Sequence, residues 1–102
     1  MKVKIEFQYF EDCPNHKIMN DNLFEAIKGL EDKIDFKKVL VEDEETAKNV
    51  SFRGSPTLLI NGEDIEGIPA PFEPVLACRF YVNGIPSSNK IREIIIQKMY
   101  KE

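Results

Sequence analysis

Two cysteines and a single histidine have the widest chemical reach in this sequence, and Cys13 and His16 share one short run, "YFEDCPNH" (9–16). Cys13 precedes Pro14, a residue suited to the first turn of a helix, where its missing N–H would have had no partner. A cysteine so placed faces the positive end of the helix dipole and its unpaired N–H groups. Both favour the thiolate over the thiol and make the sulfur a nucleophile. Glu11 and Asp12 act against this, since nearby negative charge disfavours a second anion. His16 lies one helical turn beyond Cys13 on the same side. Three roles are open to it: an imidazolium that stabilises the thiolate, a proton donor, or a metal ligand beside Cys13. As the sole histidine it would need carboxylates or a second subunit to complete a zinc site. A solvent-facing helix residue without a role accounts for it as well.

Cys78 is the second thiol. It reads either as a small buried apolar residue or as a resolving sulfur for Cys13, which needs the two Cα atoms within about 7 Å. Asp12 with two thiolates would also supply the parts of a mercury–carbon protonolysis site, a soft-metal clamp and a proton donor. An acidic residue just before a helix is equally an ordinary capping choice. Tyr9, Phe10 and Phe72 are candidates for an apolar rim around the thiol, or for core.

The elements that must position these residues follow from periodicity. In "VKIEFQY" (3–9), apolar Val3, Ile5, Phe7 and Tyr9 alternate with Lys4, Glu6 and Gln8, which predicts a strand. From Pro14 the period lengthens: Met19, Leu23, Ala26, Ile27 and Leu30 form one stripe of a helix that ends near Gly29. "IDFKKVLV" (34–41) is a second strand, "EDEETAKNVSF" a short acidic helix ending near Val50, and "PTLLI" (56–60) a buried strand. "NG" (61–62) signals a hairpin turn. "IPAPFEP" (68–74) cannot be regular, "CRFYV" (78–82) is a further strand, and "SSNKIREIIIQKMYKE" closes the chain as an amphipathic helix capped by Ser87 or Ser88. The order β-α-β-α-β-β-α predicts an α/β fold, a central mixed four-stranded sheet flanked by helices, in a single domain over residues 1–102. The clean alternation of the first strand is unusual for a central parallel strand. It implies that one sheet face is thinly covered, by the short middle helix or by a second copy.

Composition narrows the function. With a net charge of −4 and a pI near 5.1, and lysines scattered along the chain, the sequence lacks the basic face that nucleic-acid binding needs. No apolar run approaches the roughly 20 residues of a membrane span, and "MKVKIEFQYF" lacks the continuous apolar segment of a signal peptide. A cytoplasmic protein is expected. In a reducing compartment, reactive, metal-binding or inert thiols are expected ahead of a structural disulfide.

"CPNH" after the first strand, "TAKNVSFRGSPTLLINGE" (46–63) and the order of elements together resemble the thioredoxin superfamily over nearly the whole chain. More narrowly, "YFEDCPNH", "FRGSPTLLINGEDI" and "ACRFY" are similar to small bacterial thioredoxin-like proteins, some labelled as relatives of organomercurial lyase. The resemblance implies a cis bond before Pro56, lying beside the active cysteine, with Ser55 and Pro56 presenting backbone to a partner. It departs from thioredoxin at His16, which stands where the second cysteine of Cys-x-x-Cys would be. The implied function is thiol–disulfide exchange with a protein or small thiol, without a cofactor. A surface thiol at Cys13 would act alone as nucleophile, tuned by His16, with Cys78 as a possible second sulfur. The alternatives are a non-catalytic adaptor or soft-metal handler, and an organomercurial-lyase-like enzyme.

Overall fold

The computed structural model describes residues 2–100. Four strands form one sheet in the order β2-β1-β3-β4, where β1 is Val3–Tyr9, β2 Ile34–Leu40, β3 Thr57–Ile60 and β4 Glu63–Asp64. β1 runs parallel to β2, from Val3 against Ile34 to Tyr9 against Leu40, and antiparallel to β3, with Phe7 against Leu58. The described residues also form three α-helices, α1 (Asn15–Ala26), α2 (Glu44–Asn49) and α3 (Ser88–Tyr100), and a short 3-10 turn at Glu31–Lys33. Lys101 and Glu102, at the end of the expected last helix, lie outside the described residues.

The period-two apolar residues of β1 and the helical stripe of α1 meet in one core. Val3, Ile5 and Phe7 pack with Met19, Leu23, Ala26, Ile27 and Leu30, and α3 adds Ile91 and Ile95. Ser87 caps α3 by accepting a hydrogen bond from the Lys90 amide at 3.2 Å. The opposite sheet face is thinly covered, which accounts for the alternation of β1. α2 is only six residues long, and the small cluster Val41, Ala47 and Phe52, joined by Val39 and Val50, covers one end of that face. There the fully buried Gln8 donates to Glu6 at 2.6 Å and to the Val50 carbonyl at 3.2 Å. Beyond it, Lys4, Asp35 and Lys37 stay exposed, around an open hollow of about 350 Å³ that shares no lining residue with either cysteine.

One expected element is different. The fourth strand is Glu63–Asp64, and residues 78–82 join no named strand. The reason lies in the turn after β3: Asn61 and Gly62 both take positive φ (53° and 82°), the requirement of a tight two-residue hairpin. The chain therefore folds back at once and fills the free edge of β3. Residues 78–82 keep a strand-like alternation, with Arg79 and Tyr81 turned inward and Cys78, Phe80 and Val82 exposed. Their backbone makes only an isolated bridge, Ser55 with Cys78.

Leu23, on α1, is fully buried in the core that α1 shares with β1 and α3. Leu23→Ala should destabilise the protein by about 2–5 kcal/mol, read as a lowered denaturant midpoint at unchanged slope, with both cysteines remaining paired.

Candidate functional site: the Cys13–Cys78 bridge

Three segments converge at the carboxyl end of β1. The first is the turn into α1. The Cys13 amide donates to the Phe10 carbonyl at 3.1 Å, and the His16 and Lys17 amides close the first helical turn onto Cys13 and Pro14. Pro14 is the N-cap of α1 and makes no side-chain capping bond. The second segment is the loop entering β3, where the Ser55–Pro56 peptide is cis. The Ser55 hydroxyl accepts from the Phe10 amide at 2.8 Å and donates to the Phe10 carbonyl at 3.3 Å, fastening this loop to the turn that carries Cys13. The third is the segment 77–81. The Ser55 amide donates to the Ala77 carbonyl and the Arg79 amide donates to the Ser55 carbonyl, both at 2.9 Å. Cys78 is held between those two bonds.

The outcome is a disulfide between Cys13 and Cys78, with Cα atoms 5.7 Å apart, inside the usual span of about 4.4–6.8 Å. The pairing is the one open to Cys78 as a second sulfur for Cys13. One expectation is corrected: the Cys13 side chain is not a surface thiol but is 1% exposed. Spacing along the chain gave no access to that pairing: 65 residues separate the two sulfurs, and the loop at Ser55 closes the distance.

A buried polar network locks segment 77–81 in place. Arg79 donates bidentately to Asp64, at 2.6 and 2.7 Å, and both side chains are almost wholly shielded from solvent. The Asp64 carboxylate also accepts from the Glu66 and Ile68 amides, at 2.9 and 3.2 Å. Burial by itself would raise the Asp64 pKa, but the Arg79 hydrogen bonds and charge, with the two amides, hold it below the ordinary carboxylate value. Burial likewise disfavours a charged Arg79, and Asp64 reverses this. The guanidinium lies over the Tyr81 ring, 4.4 Å from its centroid. Tyr81 donates to the Pro56 carbonyl, and its burial pushes the phenol pKa far upward.

Of the residues singled out from sequence, Cys13, Cys78, Ser55 and Pro56 are thus brought together. His16 packs its ring on Tyr9, with centroids 5.0 Å apart. Phe10 joins the α2 cluster, and Phe72 is 98% exposed. Among the described residues, no group of three or more His, Cys, Asp or Glu side chains is arranged to hold a metal ion. The positioning residues Asp64, Arg79 and Tyr81 were not anticipated. The signal available was the alternation in "CRFYV", where a charged and a polar aromatic residue share the inward face.

Neither the protein-family models nor the curated proteins include a match to this chain. Its architecture does have solved counterparts. One is a structure of thioredoxin-2, described as a component of the protein secretion machinery of the malaria parasite. It superposes with a TM-score of 0.63 at 16% identity, over 94% of this chain and 82% of that one. The class is therefore a thioredoxin-like fold, and in this chain the fold carries an internal disulfide from the head of α1 to the segment beside Ser55.

Gly54 sits directly beneath Arg79. At φ +100°, with an added Cβ only 2.8 Å from the Arg79 Cβ, Gly54→Ala should strain the backbone and push segment 77–81 outward, costing about 1–3 kcal/mol. The measurable result is a lower melting temperature and faster reduction of the bridge by dithiothreitol. Removing the ion pair should be costlier. Asp64→Asn leaves Arg79 buried without its counter-charge, a loss of about 3–5 kcal/mol. Because the folded pKa of Asp64 is depressed, its stabilisation is complete above its ordinary value of 3.8 and disappears as pH falls through the lower folded value. The gap in denaturant midpoint between the parent and Asp64→Asn should therefore be wide at pH 7 and should close only as the pH is taken below 3.8, through the depressed folded value.

Proposed function

We propose that this chain is a thiol–disulfide oxidoreductase that opens and closes the Cys13–Cys78 bridge against thiols and disulfides of proteins or small molecules. The observation that carries this reading is the bridge itself: two cysteines 65 positions apart, paired at the head of a helix and beside the Ser55–Pro56 loop of a thioredoxin-like fold. The bridge favours a two-cysteine cycle over the single-thiol route suggested by the loss of the Cys-x-x-Cys pair. Exchange proceeds by attack of a thiolate on one sulfur of a disulfide through a mixed disulfide. In this reading Ser55 and Pro56 hold the exchanging sulfur in register, and His16 adjusts the charge around Cys13. In a cytoplasm kept reducing, a bridge at a helix N-terminus is suited to turnover and not to permanent cross-linking. The adaptor and soft-metal alternatives have no separate observation in their favour, since the two sulfurs a soft metal would use are bonded to each other.

The test is a redox titration of the folded protein in glutathione buffers, counting alkylated thiols by mass, coupled to turnover of a peptide disulfide. The expected result is one reversible two-electron transition, and turnover that falls at least about tenfold in Cys13→Ser and Cys78→Ser, because exchange needs a sulfur to attack or leave at each position. A bridge that stays closed in excess thiol while the protein remains folded, or turnover indifferent to both substitutions, would rule the activity out.

A further inference from the structure

The two ends of the bridge are unequal. Cys13 is 1% exposed, whereas Cys78 is exposed and lines an open groove of about 150 Å³ together with Phe52, Gly54, Pro71, Pro74 and Val75. We propose that Cys78 is the sulfur that exchanges with the outside partner, and that Cys13 is the one that leaves and later resolves. The assignment rests on the reading that the bridge turns over, and it inverts the expectation that Cys13 is the attacking thiol.

Access and leaving-group strength point the same way. A thiolate displaces along the S–S axis, entering on the side away from the sulfur it expels, and both the sulfur attacked and the pKa of the departing thiol govern the rate. Entry at Cys78 comes from the groove and expels Cys13. Cys13 immediately precedes the N-cap of α1, at the positive end of the helix dipole, which favours a thiolate. Entry at Cys13 would have to pass through the atoms that bury it, and it would expel Cys78 from a segment without a helix end.

The electron count is simple. The incoming thiolate uses a lone pair to form a bond to the Cys78 sulfur, the Cys13–Cys78 bond breaks, and its electron pair remains on Cys13 as thiolate. In the other direction, the Cys78 thiolate attacks a partner disulfide and expels one partner thiolate. Cys13 then attacks the Cys78 sulfur, closes the bridge and expels the second. One partner disulfide is reduced to two thiols for each bridge formed. Between the steps, the hydrogen bonds that Ser55 donates to Ala77 and accepts from Arg79 keep Cys78 beside Cys13 without help from the S–S bond.

The oxidised wild-type protein would be mixed with equimolar reduced glutathione, quenched in acid at several early times, alkylated, digested and mapped by mass spectrometry, with the ratio extrapolated to zero time. Glutathione should lie on Cys78 and the alkyl group on Cys13, by at least about tenfold over the reverse, given the combined access and leaving-group bias. Equal labelling, or glutathione chiefly on Cys13, overturns the assignment and leaves the exchange activity standing. No adduct on either residue, with the bridge intact in folded protein but reduced in a denatured control, overturns the exchange activity and this assignment with it. A second measurement compares single-thiol variants. Cys78 in Cys13→Ser should react with oxidised glutathione at least about tenfold faster than Cys13 in Cys78→Ser, for the same reason of access. Equal or reversed rates count against the proposal.

Discussion

Two backbone hydrogen bonds at Ser55, one donated to Ala77 and one accepted from Arg79, fix where Cys78 can be. The same residue's hydroxyl fixes the Phe10 backbone, and through it the turn that ends in Cys13. Ser55 is thus the common reference for two sulfurs that lie far apart along the chain. The backbone of Ser55 is taken up by residues 77–79 of the same chain, where the resemblance to thioredoxins implied that a partner would lie.

The occupying segment stays there because its inward side chains are fully partnered. A buried carboxylate is costly alone, and a buried guanidinium equally so. Asp64 and Arg79 offset each other through a bidentate pair, and the Glu66 and Ile68 amides donate to Oδ2 of the same carboxylate. Tyr81 adds an apolar surface for the guanidinium and a hydroxyl for the Pro56 carbonyl. Inward positions therefore carry the anchoring and outward ones, Cys78, Phe80 and Val82, meet solvent. This division allows one short extended stretch to be both rigidly placed and chemically accessible.

Much of the fold was legible from local pattern. The period-two residues of β1, the stripe of α1, the Asn61–Gly62 turn and the Ser87 cap are each written in a few neighbouring residues, and each is found where those residues put it. "CRFYV" misled because its alternation is that of a half-buried extended segment, and such a segment need not belong to a sheet. Whether it does depends on a free edge, and β4 had already taken the edge of β3. The pairing of Asp64 with Arg79 was invisible for a related reason: an acidic residue just after a tight turn reads as solvent-facing until a distant arginine covers it.

The sequence by itself determined the thioredoxin-like order of elements, the cysteine at the head of the first helix and the loop at Ser55–Pro56. These depend on interactions within a turn or a strand pair, so short-range composition suffices to specify them. Only the tertiary structure decided the partner of Cys13 and the unequal exposure of the two sulfurs. Both hinge on bringing residues 65 positions apart to a Cα separation of 5.7 Å. That distance is set by hydrogen bonds and an ion pair formed only after the chain has folded back on itself.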